Sequence, residues 1–263
     1  MSGIGAYLAF SRPASVSGAE IVSTFRDLFP YDHARIEEVT QNLTDLSIFK
    51  AYGQEVLIVV LQRRLPRHIY WFALKTGGWD GARRALRWHR GSAIITLRGE
   101  PKDWRDAVAG AKAVAAIACA MIARMPAVAA LVECSQALLP PGMFVEINSA
   151  FMRDDEPATL LWVSARRHSL DATTVLSYGL AEFVGREIEF STPELPPEEI
   201  QERVQCMSHY LLTRGPVIED GDSFATVPAE KMRVSYAAEG LRPGIPIYRL
   251  TLEVADPSAI SVE

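Results

Sequence analysis

"YGLAEFVGREIEF", Tyr178 to Phe190, sets two glycines and three glutamates among apolar residues. It reads either as a loop that grips a ligand or as a tight corner between two strands. The corner accounts for more of its residues. Gly179 ends a strand, "LAEF" makes a short turn or helix that buries Leu180 and Phe183, and Gly185 lets the chain reverse. "EIEF" then enters a strand. Period-two alternation puts Ile188 and Phe190 on the core face and leaves Glu187 and Glu189 on the other.

Working outward, "TLLWVSARRHS" and "ATTVLSYGL" read as strands before the corner. "LPPEEIQERVQCMSHYLLTRG", Leu195 to Gly215, reads as a helix after it, with Pro197 near its start, acids in its first turn and Gly215 past its end. "DGDSF" is a turn, and "MRVSYAA" and "IPIYRLTLEV" are closing strands. In the front half, "GAYLAF" reads as a strand, and "SGAEIVSTFRDLF" as a helix capped by Ser17. "LSIFKAY" and "EVLIVVLQRRL" form a hairpin-like pair around Gly53–Gln54, the second strand apolar enough to be covered on both faces. "GGWDGARRALRWH" is an arginine-rich amphipathic helix, "SAIITL" a buried strand, and a long helix runs from Asp103 to Met125 before Pro126. "AVAALVEC" is a strand, and "LLPPGMFVEINSAFMR" leads into a helix. This order predicts an α+β fold: mixed, largely antiparallel sheets with packed helices, drawn as two similar ferredoxin-like lobes. The acidic, proline-containing "MRDDEPA", Met152 to Ala158, is the linker-like stretch between an N-terminal lobe, 1–152, and a C-terminal lobe, 158–263.

The chain is 49% apolar and 22% charged, ordinary for a globular protein. Cys119, Cys134 and Cys206 stand far apart in apolar surroundings, which argues against a disulfide framework or a zinc site and for buried cysteines in a reducing compartment. The N-terminal apolar run lacks a basic flank and spans only about six residues, short for a signal peptide. In "AVAGAKAVAAIACAMIARM", Lys112 and Arg124 bracket eleven uncharged residues. That is fewer than the roughly twenty that span a bilayer, so a buried core helix and a cytoplasmic protein are expected. Charge is uneven. From Gln62 to Arg105 eleven basic residues oppose three acids, while from Glu187 onward fourteen acids oppose six bases. Such polarity fits ordinary solvated faces that meet one another across the fold, or, in the sharper reading, a surface for a charged partner; an overall acidic chain argues against nucleic acid.

No strand–glycine–helix phosphate loop, HExxH or GxSxG occurs. His33, His68, His89, His168 and His209 include no helical metal pair. Cys206 and His209 stand three apart, on an apolar stripe. His89 in "RWHRGS" caps its helix or meets a ligand phosphate with Arg87 and Arg90. Glu187 and Glu189 share a strand face, and the "EDGD" turn, Glu219, Asp220, Gly221 and Asp222, adds oxygen ligands suited to a hard cation or to acid–base work.

The corner, the "LWVSARRH" strand before it and the "VQCMSHYLLTRGPVIEDGDSF" helix and turn after it resemble the bacterial domain-of-unknown-function 4261 family. In that family a strand leads into a G-L-x-x-x-G-x-x-E-[IL]-E segment, then a helix and a G-D turn. Here those positions are Gly179, Leu180, Gly185, Glu187, Ile188 and Glu189, then Gly221 and Asp222. The resemblance is most specific over 160–224. "WHRGSAIITL" and the alanine-rich helix fit the family's longer members. Tyr178 departs from the pattern, where a small polar residue such as threonine is more usual. The resemblance implies a stand-alone cytosolic bacterial protein and carries no catalytic residues.

These observations lead to an expected non-catalytic binding protein, in its sharpest form an immunity protein that neutralises a secreted bacterial toxin. Glu187, Glu189, Glu219, Asp220 and Asp222 would face the toxin's basic residues. No cofactor, metal, membrane or nucleic acid is expected. Two alternatives stand: an enzyme, small-ligand or metal-binding protein built on Glu187 and Glu189 beside His168 or His209, and a homo-oligomeric structural or adaptor protein.

Overall fold

A computed structural model describes residues 3–13, 15–31, 34–43, 46–168, 173–227 and 230–253. The chain divides into two units, Met1–Trp162 and Val163–Glu263. His33 lies outside the described residues.

The first unit runs β1 (Gly5–Phe10), α1 (Gly18–Leu28), β2 (Ile36–Leu43), β3 (Leu46–Ala51), β4 (Gln54–Leu61), α2 (Arg67–Thr76), α3 (Ala82–Arg87), β5 (Gly91–Leu97), α4 (Trp104–Arg124), β6 (Ala127–Val132), β7 (Ala137–Leu139), α5 (Pro141–Arg153) and α6 (Thr159–Trp162). Its strands form one antiparallel sheet in the order β2-β3-β4-β5-β1-β6-β7. Alternation along β1 divides the core. Ala6, Leu8 and Phe10 are buried on one face, while Tyr7 and Ala9 pack with Leu65, Ala73, Ala82 and Leu86 around α2 and α3 on the other.

Local chemistry sets the helix ends. Ser17 and Glu20 form a capping box on α1: the Ser17 hydroxyl accepts the Glu20 N–H, and the Glu20 carboxylate accepts the Ser17 N–H at 2.9 Å. Asp103 caps α4 by accepting the Asp106 N–H at 2.9 Å. By length and composition α4 is the one helix among the described residues that could cross a membrane. Every residue from Gly110 to Met121 is buried, so it serves as the core helix of this unit.

Several expectations change. β4 is not covered on both faces: Val56 and Ile58 are buried, but Leu57 and Val59 are only half-buried. α4 packs on β4, whereas α2 and α3 sit toward β6 and β7 instead. The linker-like stretch is tied down, because the buried Lys112 ammonium donates to the Asp155 carboxylate and carbonyl, both at 2.5 Å. "TLLWVSARRHS" is not one strand: α6 takes Thr159–Trp162, and a strand begins only at Ser164. Of the three cysteines only Cys119 is buried, while Cys134 is half-buried and Cys206 exposed.

The second unit runs β8 (Ser164–Arg167), β9 (Thr174–Tyr178), α7 (Ala181–Val184), β10 (Glu187–Ser191), α8 (Pro197–Arg214), β11 (Ser223–Phe224), β12 (Lys231–Ala237) and β13 (Ile247–Glu253). Its sheet order is β11-β12-β13-β10-β9-β8. β10 lies inside this sheet, antiparallel to β9 and parallel to β13. All other neighbours are antiparallel, so both sheets fit an α+β fold. The strand orders of the two units differ, and the β10–β13 parallel pair has no counterpart in the first. α8 covers one face of β9 and β10, burying Ile200, Val204, Met207 and Leu211.

Candidate functional site

The corner forms as the alternation requires. Leu180 and Phe183 are buried, and Gly185 takes φ +77°, a left-handed value that favours glycine. Ile188 and Phe190 are fully buried. Glu187 and Glu189 occupy the opposite face, but that face is covered too: they are only 4% and 8% exposed. What covers it is the connection between β12 and β13, which lies far along the chain.

Each carboxylate holds a backbone segment. Glu187 accepts the Ser177 hydroxyl at 2.5 Å, the Gly179 N–H at 2.8 Å and the Leu180 N–H at 3.2 Å, fixing the β9–α7 corner. Ser177 in turn accepts the Ile188 N–H at 2.7 Å. The Arg242 guanidinium reaches Glu187 at 3.5 Å and stacks on the Tyr178 ring, 4.4 Å from its centre. Glu189 accepts the Leu241 N–H at 2.7 Å and pairs with Arg249 at 3.3 Å. Burial pushes the Glu187 carboxyl above its ordinary range, against the pull of Ser177, the Gly179 N–H and Arg242. The charges beside these carboxylates are arginines rather than His168 or His209, and the donor set is that of a structural clamp.

The "EDGD" turn is elsewhere. All four of its residues are exposed. Asp220 accepts the Tyr236 N–H at 2.7 Å, and Asp222 accepts the Glu219 N–H at 2.8 Å. The turn packs on β12, which β13 separates from β10, so the five acids do not converge. Among the described residues no group of three or more His, Cys, Asp and Glu could hold a metal ion.

In the first unit His89 is 1% exposed. Its Nε2 accepts the Leu65 N–H at 2.9 Å, and its Nδ1 donates to the Leu86 carbonyl at 2.7 Å. These two bonds set the tautomer and join the chain entering α2 to the end of α3. Burial, chiefly, and the Arg64 charge lower its pKa, against the Leu86 carbonyl. Arg90 donates its backbone N–H to Phe10, its exposed side chain lying outside the groove described next. Arg87 does line that groove.

Between α2 and α3 lies a groove of about 360 Å³ with His89 among its lining residues. Helical spacing builds its walls. Arg67, Tyr70, Trp71, Leu74 and Lys75 fall on one face of α2, and Arg83, Leu86 and Arg87 on one face of α3, with Arg64 preceding α2. The lining holds five cations and no carboxylate, and none of the five forms an ion pair among the described residues. Arg67 and Lys75 both rest against the Trp71 ring, 4.3 and 4.8 Å from its centre. Trp71 is 40% exposed, and Trp88, under Arg87, 63%. A larger recess of about 540 Å³ beside β2 mixes charges, Glu37 pairing with Lys50 within it.

The basic run from Gln62 to Arg105 carries the signal for this groove, but the helix α2 is hidden in it. "IYWFAL" is a continuous apolar and aromatic run that shows no clear helical period. Pro66 at the N-cap of α2 is the one local start signal.

The model of the family described as Domain of unknown function (DUF4261) matches residues 176–247, the span from β9 to the first residue of β13. Every contact of the Glu187 and Glu189 clamps just described, save that of Arg249, falls inside it. No curated protein and no solved structure matches the chain.

Proposed function

We propose that this chain, a member of the domain-of-unknown-function 4261 family through residues 176–247, is a non-catalytic binding protein that takes an anionic partner in the α2–α3 groove. The observation that carries this reading is the set of five exposed cations around one groove with no carboxylate in its lining. Glu187, Glu189 and His89 are engaged in holding the fold. Glu187 and Glu189 clamp backbone, and both His89 nitrogens are hydrogen-bonded. A cytoplasmic location belongs to the same reading.

The test is a titration of wild type and of the Arg67→Gln/Arg83→Gln variant, followed by tryptophan emission. The ligands are citrate, tripolyphosphate, hexaglutamate and, as a control, hexalysine. Anions should bind with salt-dependent affinity, and the variant should bind at least about tenfold more weakly. Equal binding of hexalysine, or an unaffected variant, defeats the reading.

A second reading rests on the exposed "EDGD" turn. Its backbone is fixed by Asp220 and Asp222, which presents Glu219 and the free carboxylate oxygens to a basic protein, such as a secreted toxin that this chain would neutralise. Co-expression with a candidate toxin tests it: growth rescue that Glu219→Lys abolishes supports it, and rescue that Glu219→Lys leaves intact removes the turn from the interface.

A further inference from the structure

We propose that the groove between α2 and α3 binds a small molecule carrying two or more phosphate groups. This inference rests on the groove being an anion site and names its ligand class. Charge density decides the class. Five cations surround a space of about 360 Å³, near the lower end of small-ligand sites. A carboxylate brings one negative charge, whereas a phosphate monoester brings about −1.5 to −2 and three acceptor oxygens at neutral pH. Two phosphates therefore offset most of the groove's charge within its volume, and a peptide short enough to fit does not.

The donors suit that chemistry. Four of the five cations are arginines, whose planar fork meets two phosphate oxygens at once. Trp71 steadies Arg67 and Lys75 before any ligand arrives, which lowers the cost of ordering them on binding. Tyr70, Leu74 and Leu86 give the groove an apolar wall for the body of the molecule. His89 contributes neither a ligand nor a proton, since Nε2 is occupied by Leu65 and Nδ1 by Leu86. Holding the phosphates therefore falls to the five cations.

Calorimetric titration of the full chain with phosphate, pyrophosphate, tripolyphosphate and citrate tests this. Affinity should rise by at least about tenfold from phosphate to pyrophosphate and again to tripolyphosphate, with citrate weaker than pyrophosphate. Arg67→Gln, Arg83→Gln and Lys75→Gln should each weaken tripolyphosphate by about tenfold. Arg98→Gln, at a cation paired with Glu55 and outside the groove, should leave it unchanged. Circular dichroism would confirm that each variant is folded.

Citrate or hexaglutamate binding as tightly as tripolyphosphate overturns the phosphate class and leaves the anion groove standing. If no anion responds to the groove variants, both readings fall. Free inositol trisphosphate and vesicles bearing phosphatidylinositol bisphosphate separate the two sources of such a group. Comparable binding of the free headgroup supports the small-molecule proposal, and binding to vesicles alone overturns it.

Discussion

Glu187 accepts the Gly179 N–H at 2.8 Å, so the first residue of β10 holds the corner through which the chain has just passed. The same carboxylate takes the Leu180 N–H and the Ser177 hydroxyl. Glu187→Ala would leave two buried N–H groups without their acceptor. The expected loss is roughly 3 kcal/mol in urea unfolding. Ser177→Ala should cost about 1 kcal/mol, and the double variant less than the sum, because the two share a network.

Glu189 and Gly240 test the second clamp. A Cβ at residue 240 would stand 2.5 Å from Glu189 Oε2 and 2.8 Å from Ile247 Cδ1. Gly240→Ala must therefore move the carboxylate that holds the Leu241 N–H. The expected cost is about 1–2 kcal/mol, with faster hydrogen exchange at the Leu241 amide and little change at the Gly179 amide.

Acidity should act on the two units in opposite senses. His89 has a lowered pKa when folded, so the unfolded chain takes up its proton first as pH falls below 6.5. Its contribution is fully present above that pH and is lost on acidification, because a proton on Nε2 would meet the Leu65 N–H. Glu187 has a raised pKa, so its contribution is present below 4.5 and is lost as pH rises through the folded value. Hydrogen exchange, corrected for the intrinsic rate, reads both. Protection of the Leu65 amide should fall from pH 7 toward pH 5 (about two units of acidification, spanning the ordinary histidine range), and that of the Gly179 amide should fall as pH rises from 4.5.

Salt should stabilise the unliganded protein. The groove's cations repel one another across an exposed surface, and raising NaCl from about 0.05 to about 0.5 M screens that repulsion. The melting temperature should rise by roughly 1–2 °C in wild type, and by less in Arg67→Gln/Arg83→Gln. An equal rise in both proteins would mean that the repulsion lies elsewhere.

The corner was legible because its determinants are local: glycines at 179 and 185, and period-two burial of Ile188 and Phe190. The faces of Glu187 and Glu189 were legible as well, but not their burial. Leu241, Arg242 and Arg249 cover them from more than fifty residues away, and no alternation rule reports such partners. The groove is a mixed case. Its charge stood out in the basic run around Arg64, Arg67, Arg83 and Arg87, but "IYWFAL" concealed the helix that orders half of it. Of the two readings of His89 the helix cap holds, since Nδ1 donates to the Leu86 carbonyl in the last turn of α3, and the phosphate contact does not, because Nε2 is taken by the Leu65 N–H from the chain leading into another helix.

The parallel pairing of β10 with β13 has a practical consequence. The family match ends at residue 247, the first residue of β13. A fragment cut at those bounds would lack the strand that fills the space between β10 and β12. Two edges that are paired in the whole unit would then open together, each a template for joining another chain. Because β13 follows the other described strands of this unit and pairs with one about sixty residues earlier, the central register of the sheet closes only after those strands have been made. Fragments intended to isolate the family segment need to run through Glu253.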